Sequence, residues 1–206
     1  MKILNYNYGD NLEKIVEKLR EGKIVVYPTD TIYGIAANIT IPDAIKKVYL
    51  TKQRPLNKPL SVCFHDFEQL SNYVNLTVPQ EKIIHQLLPG PYTLLLRKNK
   101  KISSIITGNS PILGVRIPNN TVSYELTEKF PITSTSANIS NLQSPNNITQ
   151  IKEQLGENID YYIDAGTIKN NKSSTIIDLT KNKPQIIRKG VCDETLLKEI
   201  LKINLR

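Results

Sequence analysis

A chain of 206 residues, 39% hydrophobic and 22% charged, can fill one core and has the composition of a globular domain. Its formal net charge of +8 favours anionic company, a nucleotide or a nucleic acid. No apolar run reaches membrane-spanning length, and residues 1–10 lack the apolar stretch of a secretory signal, so a cytoplasmic protein without membrane contact is expected.

In chain order, residues 10–13 (DNLE) resemble a capping box, and Leu12, Ile15, Val16 and Leu19 follow at helical spacing up to Gly22. Residues 24–27 (IVVY) form a short strand stopped by Pro28, which cannot donate a ladder hydrogen bond. Gly34 is expected to turn the chain tightly before a helix over 44–49. A strand over 60–64, a short helix over 66–73 and a helix from Thr77 to about Leu88 come next. Strands are predicted at 92–97 and 112–118, then a helix over 122–130 and a hydroxyl-rich strand end at 131–138 (PITSTSAN). A helix at 148–155, a strand at 161–164, a polar mobile loop at 169–172, paired strands at 173–179 and 185–188, and a final helix capped by Asp193 complete the chain.

Strands and helices alternate without a break in composition. The expectation is one α/β domain over residues 1–206: an open, twisted, mixed β-sheet flanked by helices, with a basic concave face. Neither GxGxxG nor GxxxxGK[ST] occurs, so a Rossmann or P-loop nucleotide site is excluded. Two cysteines, Cys63 and Cys192, and two histidines, His65 and His85, are scattered in a way that fits neither a disulfide framework nor a zinc site.

The stretch 24–59 stands out. The hydroxyls of Thr29 and Thr31 sit at a strand end, and Lys52, Arg54 and Lys58 alternate with Pro55 and Pro59 on a stiffened loop. Taken alone, that loop also reads as a solvated charge cluster. Hydroxyls facing a rigid cationic loop make a pocket for a small anion.

Several motifs then occur together: YPTDTIYG at 27–34, KQRP at 52–55 with KPL at 58–60, PGPYT at 89–93 and GVRIP at 114–118. SAN at 136–138, SST at 173–175 with Asp178, and Ile187-Arg188 complete the set. In this order and over nearly the whole chain, they resemble the YrdC/TsaC family of L-threonylcarbamoyladenylate synthases, in its short single-domain form. The resemblance implies an ATP-dependent nucleotidyltransferase in the biosynthesis of threonylcarbamoyladenosine (t6A), a tRNA-processing step. L-threonine and bicarbonate or carbon dioxide give a carbamate, which attacks the α-phosphate of ATP to yield threonylcarbamoyl-AMP and pyrophosphate, with Mg2+ assisting. The product would pass to the tRNA threonylcarbamoyl-transferase machinery, and a weak contact with tRNA itself is part of the same expectation.

The family pattern places Thr31, Cys63, Arg116, Ser134 and Ser174 at L-threonine, and Arg54, Lys58, Ser136, Asn138, Ser144 and Arg188 at ATP. Electrostatic stabilisation by Lys52, Arg54 and Lys58 replaces a protein nucleophile, and no protein carboxylate is expected to bind the metal, since Mg2+ takes phosphate oxygens and water. Thr29 reads as a turn cap. For Arg116, between Val115 and Ile117, a bidentate carboxylate grip and a surface ion pair both remain open. Three positions depart from the family habit: Cys63 where many relatives carry histidine, Lys58 where many carry asparagine, and Asn141 where glycine is common. A thiol bonds weakly, whereas asparagine tolerates a positive φ.

A second function class is a non-catalytic RNA-binding module on the basic concave face. It finds no RNA-binding motif and few stacking platforms, with aromatics at 6%. A same-fold enzyme with a different carbamoyl chemistry is a third reading.

Overall fold

The computed structural model describes residues 2–5, 12–169 and 172–203. The capping-box expectation at 10–11 and part of the 169–172 loop lie outside these residues.

Eleven strands and eight α-helices are formed among the described residues. The strands are β1 (Lys2–Asn5), β2 (Val25–Tyr27), β3 (Gly34–Ala36), β4 (Ser61–Cys63), β5 (Val74–Asn75) and β6 (Tyr92–Lys98), followed by β7 (Ile112–Arg116), β8 (Ile132–Ser136), β9 (Tyr161–Asp164), β10 (Thr175–Asp178) and β11 (Gln185–Arg188). The helices are α1 (Leu12–Arg20), α2 (Pro42–Thr51), α3 (Phe67–Ser71), α4 (Val78–Leu87), α5 (Ser104–Thr107), α6 (Thr121–Thr127), α7 (Ile148–Leu155) and α8 (Glu194–Ile203). The sheet order is β1-β9-β2-β3-β8-β4-β7-β6-β10-β11, with β5 pairing beside β6. It is mixed as expected: β4–β7 and β6–β10 run parallel, while β4–β8, β6–β7 and β10–β11 run antiparallel.

The helix starts follow capping chemistry. Asp66 caps α3 by accepting the Gln69 N–H at 2.7 Å. Asp193 accepts the N–H groups of Thr195 and Leu196 at 2.9 and 3.0 Å at the start of α8.

Gly34 does not make the expected tight turn. It opens β3, which pairs antiparallel with β2 in the register Tyr27↔Gly34. Glycine suits that position because a Cβ would lie 3.0 Å from the Tyr27 ring, which would have to give way. The strands β1 and β5 and the helix α5 are further elements that the periodicity did not predict, each of five residues or fewer. α6 stops at Thr127, short of the expected Phe130.

Strand alternation divides the molecule into two layers. Val26, Ile35, Val62, Leu94, Leu96, Leu113 and Val115 point into the larger core with α2 and α4. The interleaved Val25, Tyr27, Ala36, Cys63 and Ile132 point the other way, into a smaller core that Leu12, Ile15, Val16 and Leu19 of α1 and Val122 and Leu126 of α6 complete. These two helices cover only part of that second face, and the remainder carries the candidate site.

Candidate active site

On the uncovered face lies a cavity of about 520 Å³ whose floor is the sheet itself. Two rows of cross-strand neighbours build it. One row is Ser134↔Ser61↔Gly114↔Leu95, and the other is Arg188↔Ile176↔Thr93. Gly114 leaves room for Ser61, whose Oγ would lie 2.6 Å from a Cβ at that position and would have to turn away. The walls come from Thr29, Tyr33, Arg54, Ser110, Arg116, Ser136, Ser144 and Ser174. Tyr33 also ties the wall to the turn after β9, donating to Gly166 O at 2.8 Å and accepting the Ala165 N–H at 2.9 Å.

Among the described residues three guanidinium groups face this space, and no aspartate, glutamate or lysine lines it. Arg54 donates from Nε to Lys58 O at 3.2 Å and from Nη2 to Pro59 O at 2.8 Å, so the proline-stiffened loop holds its own arginine. Arg188 donates from Nη2 to Ser174 O at 2.9 Å and to Ser174 Oγ at 3.3 Å. Burial lowers the pKa of both arginines, and for Arg188 the nearby Arg116 charge lowers it further. Like charges gathered around a hollow favour an anion in it.

Arg116 is buried, with its side chain 7% exposed, which removes the surface placement that its sequence context allowed. It is not at the surface, but it is ion-paired: Nη2 meets Asp30 Oδ1 at 2.8 Å and also donates to Thr31 Oγ1 at 3.1 Å. Thr29 donates to Ile32 O at 2.6 Å and accepts the N–H groups of Thr31 and Ile32, as a turn cap does. Its hydroxyl proton is therefore committed, so the 3.1 Å contact between the two threonines has Thr31 as donor.

The fold brings Arg54, Arg116, Ser134, Ser136, Ser144, Ser174 and Arg188 to one cavity. It places five expected site residues elsewhere. Thr31 is buried behind the wall and touches the wall residues Thr29 and Arg116 without lining the cavity itself. Cys63 is buried in the smaller core, its thiol pushed up to about 12 by burial and its Sγ 4.0 Å from Phe64 O, so it packs and does not line the cavity. Lys58 is exposed and its Nζ donates to Asn141 Oδ1 at 3.4 Å.

Lys52 is buried, and its ammonium donates to Ser136 O and, at 2.8 Å, to Asn138 O. It braces the serine loop from behind. Asn138 completes the brace, donating to Ile139 O at 2.7 Å and Leu142 O at 2.8 Å. Gln53, at φ 49°, turns the chain so that adjacent cations part, Lys52 inward and Arg54 to the cavity. Asn141, at φ 71°, takes the left-handed turn for which glycine is the usual residue.

Ser61, Thr93 and Ser110 also line the cavity; Thr93 closes the PGPYT motif without standing out in it, and the hydroxyls of Ser61 and Ser110 belong to no motif. The Asp30 partnership with Arg116 spans 86 residues of sequence and left no local signal.

An α/β sheet with a hydroxyl-lined, triply cationic hollow on its open face defines a binder of anionic small molecules. The sequence pattern of the Sua5/YciO/YrdC family, described as telomere recombination, matches residues 17–190, and the chain belongs to that family. A putative threonylcarbamoyl-AMP synthase of Methanocaldococcus jannaschii is 41% identical over 180 residues, covering 87% of this chain and 86% of the relative. The threonylcarbamoyl-AMP synthase of Vibrio parahaemolyticus is 32% identical over 186 residues, covering 88% of this chain and 100% of the relative. Crystalline P. abyssi Sua5 complexed with L-threonine superposes with a TM-score of 0.91 at 32% identity, over 98% of this chain and 61% of that one. E. coli YciO follows with a TM-score of 0.85 at 26% identity, over 94% and 97%.

Proposed function

We propose that this protein is a threonylcarbamoyl-AMP synthase, joining L-threonine, bicarbonate and ATP into threonylcarbamoyl-AMP and pyrophosphate. The observation that carries the reading is the convergence of Arg54, Arg116 and Arg188 with serines that include Ser61, Ser134, Ser136, Ser144 and Ser174 on one cavity. A volume of about 520 Å³ lies within the range of small-molecule sites. Relatives named for this activity, and one solved with L-threonine bound, support the same assignment.

The chemistry asks for positioning and charge. The threonine amine adds to bicarbonate with loss of water, giving a carbamate. A carbamate oxygen then attacks the α-phosphorus, the bond from phosphorus to the bridging oxygen breaks, and pyrophosphate leaves with that electron pair. Arg116 receives the threonine carboxylate, and Ser134 and Ser174 offer hydroxyls to the same substrate. Arg54 and Arg188 offset the negative charge that gathers on the phosphates, with Ser136 and Ser144 beside the nucleotide. Lys52 acts at one remove, by holding the backbone that presents Ser136.

The lining residues offer hydroxyls, guanidinium groups and carbonyls but no carboxylate, and among the described residues no three His, Cys, Asp or Glu side chains group to hold a metal. This donor set fits a magnesium ion that arrives with ATP, bound by phosphate oxygens and water, and supplying charge neutralisation at the phosphates. Among the described residues no helix is long and apolar enough to cross a membrane. The setting we infer is the cytoplasm, with the product consumed by the machinery that modifies tRNA.

The test is direct. L-threonine, bicarbonate, ATP and Mg2+ together should release pyrophosphate and give threonylcarbamoyl-AMP by mass detection, with each omission abolishing both. Pyrophosphate release without threonine, or no release with all four present, refutes the reading.

A further inference from the structure

Resting on the reading that Arg116 receives a substrate carboxylate, we propose that Asp30 is a positioning residue that fixes the Arg116 guanidinium through Nη2 and leaves the Nε and Nη1 hydrogens as donors for the amino-acid substrate. Nη2 carries two hydrogens, and both are used inside the protein, one by Asp30 Oδ1 and one by Thr31 Oγ1. The other Asp30 oxygen accepts the Asn119 N–H at 3.1 Å, so the carboxylate is held at both ends, and its side chain is 10% exposed. Arg116 Nε is buried without a hydrogen-bond partner among the described residues. A buried, unpaired donor is costly unless something supplies the acceptor, and a ligand in the cavity that Arg116 lines can do so.

Charge points the same way. Asp30 cancels the charge of Arg116, whereas Arg54 and Arg188 form no ion pair among the described residues. The Asp30–Arg116 pair is therefore neutral overall and polar, which suits a zwitterion or its carbamate, whereas Arg54 and Arg188 keep the positive charge that suits phosphates. Without Asp30, the Arg116 guanidinium gains rotamers and a net charge, and it becomes a third phosphate site that competes with the amino acid.

The experiment compares wild type, Asp30→Asn, Arg116→Gln and the double variant by pyrophosphate release at varied L-threonine, with ATP affinity measured separately by fluorescent-nucleotide titration. Asparagine keeps the shape and can still accept from Asn119, but it carries no charge. Asp30→Asn should raise the threonine KM at least tenfold, with kcat within threefold and ATP affinity within twofold. It should also make inorganic phosphate a stronger competitor of threonine. In the Arg116→Gln background the same change should add less than twofold. An unchanged threonine KM overturns the proposal, as does a parallel fall in ATP affinity and melting temperature or an undiminished effect in the Arg116→Gln background. Should the wild-type protein release no pyrophosphate, the proposed function fails and calorimetry with L-threonine alone decides this inference. Binding by wild type that Asp30→Asn weakens tenfold supports it, and equal or absent binding in both overturns it.

Discussion

Replacing Lys52 by methionine tests the buried ammonium behind the serine loop. Burial, and after it the charge of Arg54, pushes the Lys52 pKa down to about 7, whereas an unfolded lysine titrates near 10.4. Between those values the unfolded chain holds a proton that the folded protein lacks, so this group makes stability rise with pH from about 7 to about 10.4. Below about 7 both states are charged, and the fold bears the whole cost of the buried ammonium. The full span is about 3.5 pH units at about 1.4 kcal/mol each, an upper value of about 5 kcal/mol. The oxygens of Ser136 and Asn138 favour the charged form and reduce it. Urea unfolding of wild type and Lys52→Met at pH 7, 8 and 9 isolates the effect, because every other titrating group cancels in the difference. The wild-type advantage should grow by roughly 0.5–1.4 kcal/mol per pH unit. Methionine also removes the donor to Asn138 O, a cost of about 1–3 kcal/mol that offsets the difference at every pH without changing its slope, while Ser136 O keeps the Asn138 N–H. A difference that stays flat across this range would mean that the carbonyls fully repay desolvation, and the argument would fail.

Arg188→Ala should weaken ATP binding by about 2 kcal/mol or more in fluorescent-nucleotide titration, since it removes a guanidinium clamped on Ser174; unchanged affinity would place the nucleotide elsewhere. Gly114→Ala puts a methyl 2.6 Å from Ser61 Oγ and should cost about 1–3 kcal/mol in thermal unfolding; an unshifted melting temperature would show that the floor has slack. Cys63, buried and with its thiol held neutral up to about 12, should ignore a thiol reagent in the native state, whereas partly exposed Cys192 reacts. Modification of two thiols per native chain at pH 8 would contradict that burial.

What could be read from the sequence divides along physical lines. Helices with apolar residues at turn spacing, such as α1, were legible because periodicity reports burial directly. The three-residue β3 was not, since a strand that short holds less than two periods and Gly34 carries an equally good turn signal. Motif order brought Arg54, Arg116, Ser136 and Arg188 into view together, but it could not say which way each cation points. Lys52 and Arg54 look alike in sequence, and it is the left-handed Gln53 between them that sends one inward and one to the cavity. Cys63 reads as a pocket residue in a family where many members place histidine, yet in this fold it sits among Tyr27, Ile132 and Val25. Asp30 carries no role that the sequence alone reveals, because its partner lies 86 residues away.

The alternation along β7 has a consequence for how such a protein can change. Ile112, Gly114 and Arg116 face the cavity, while Leu113 and Val115, between them, face the main core. Affinity and foldability are thus written on interleaved letters of one strand. A lineage can respell the odd or the even letters separately, altering what it binds while leaving its foundations in place. A single inserted residue would exchange the two messages and forfeit both.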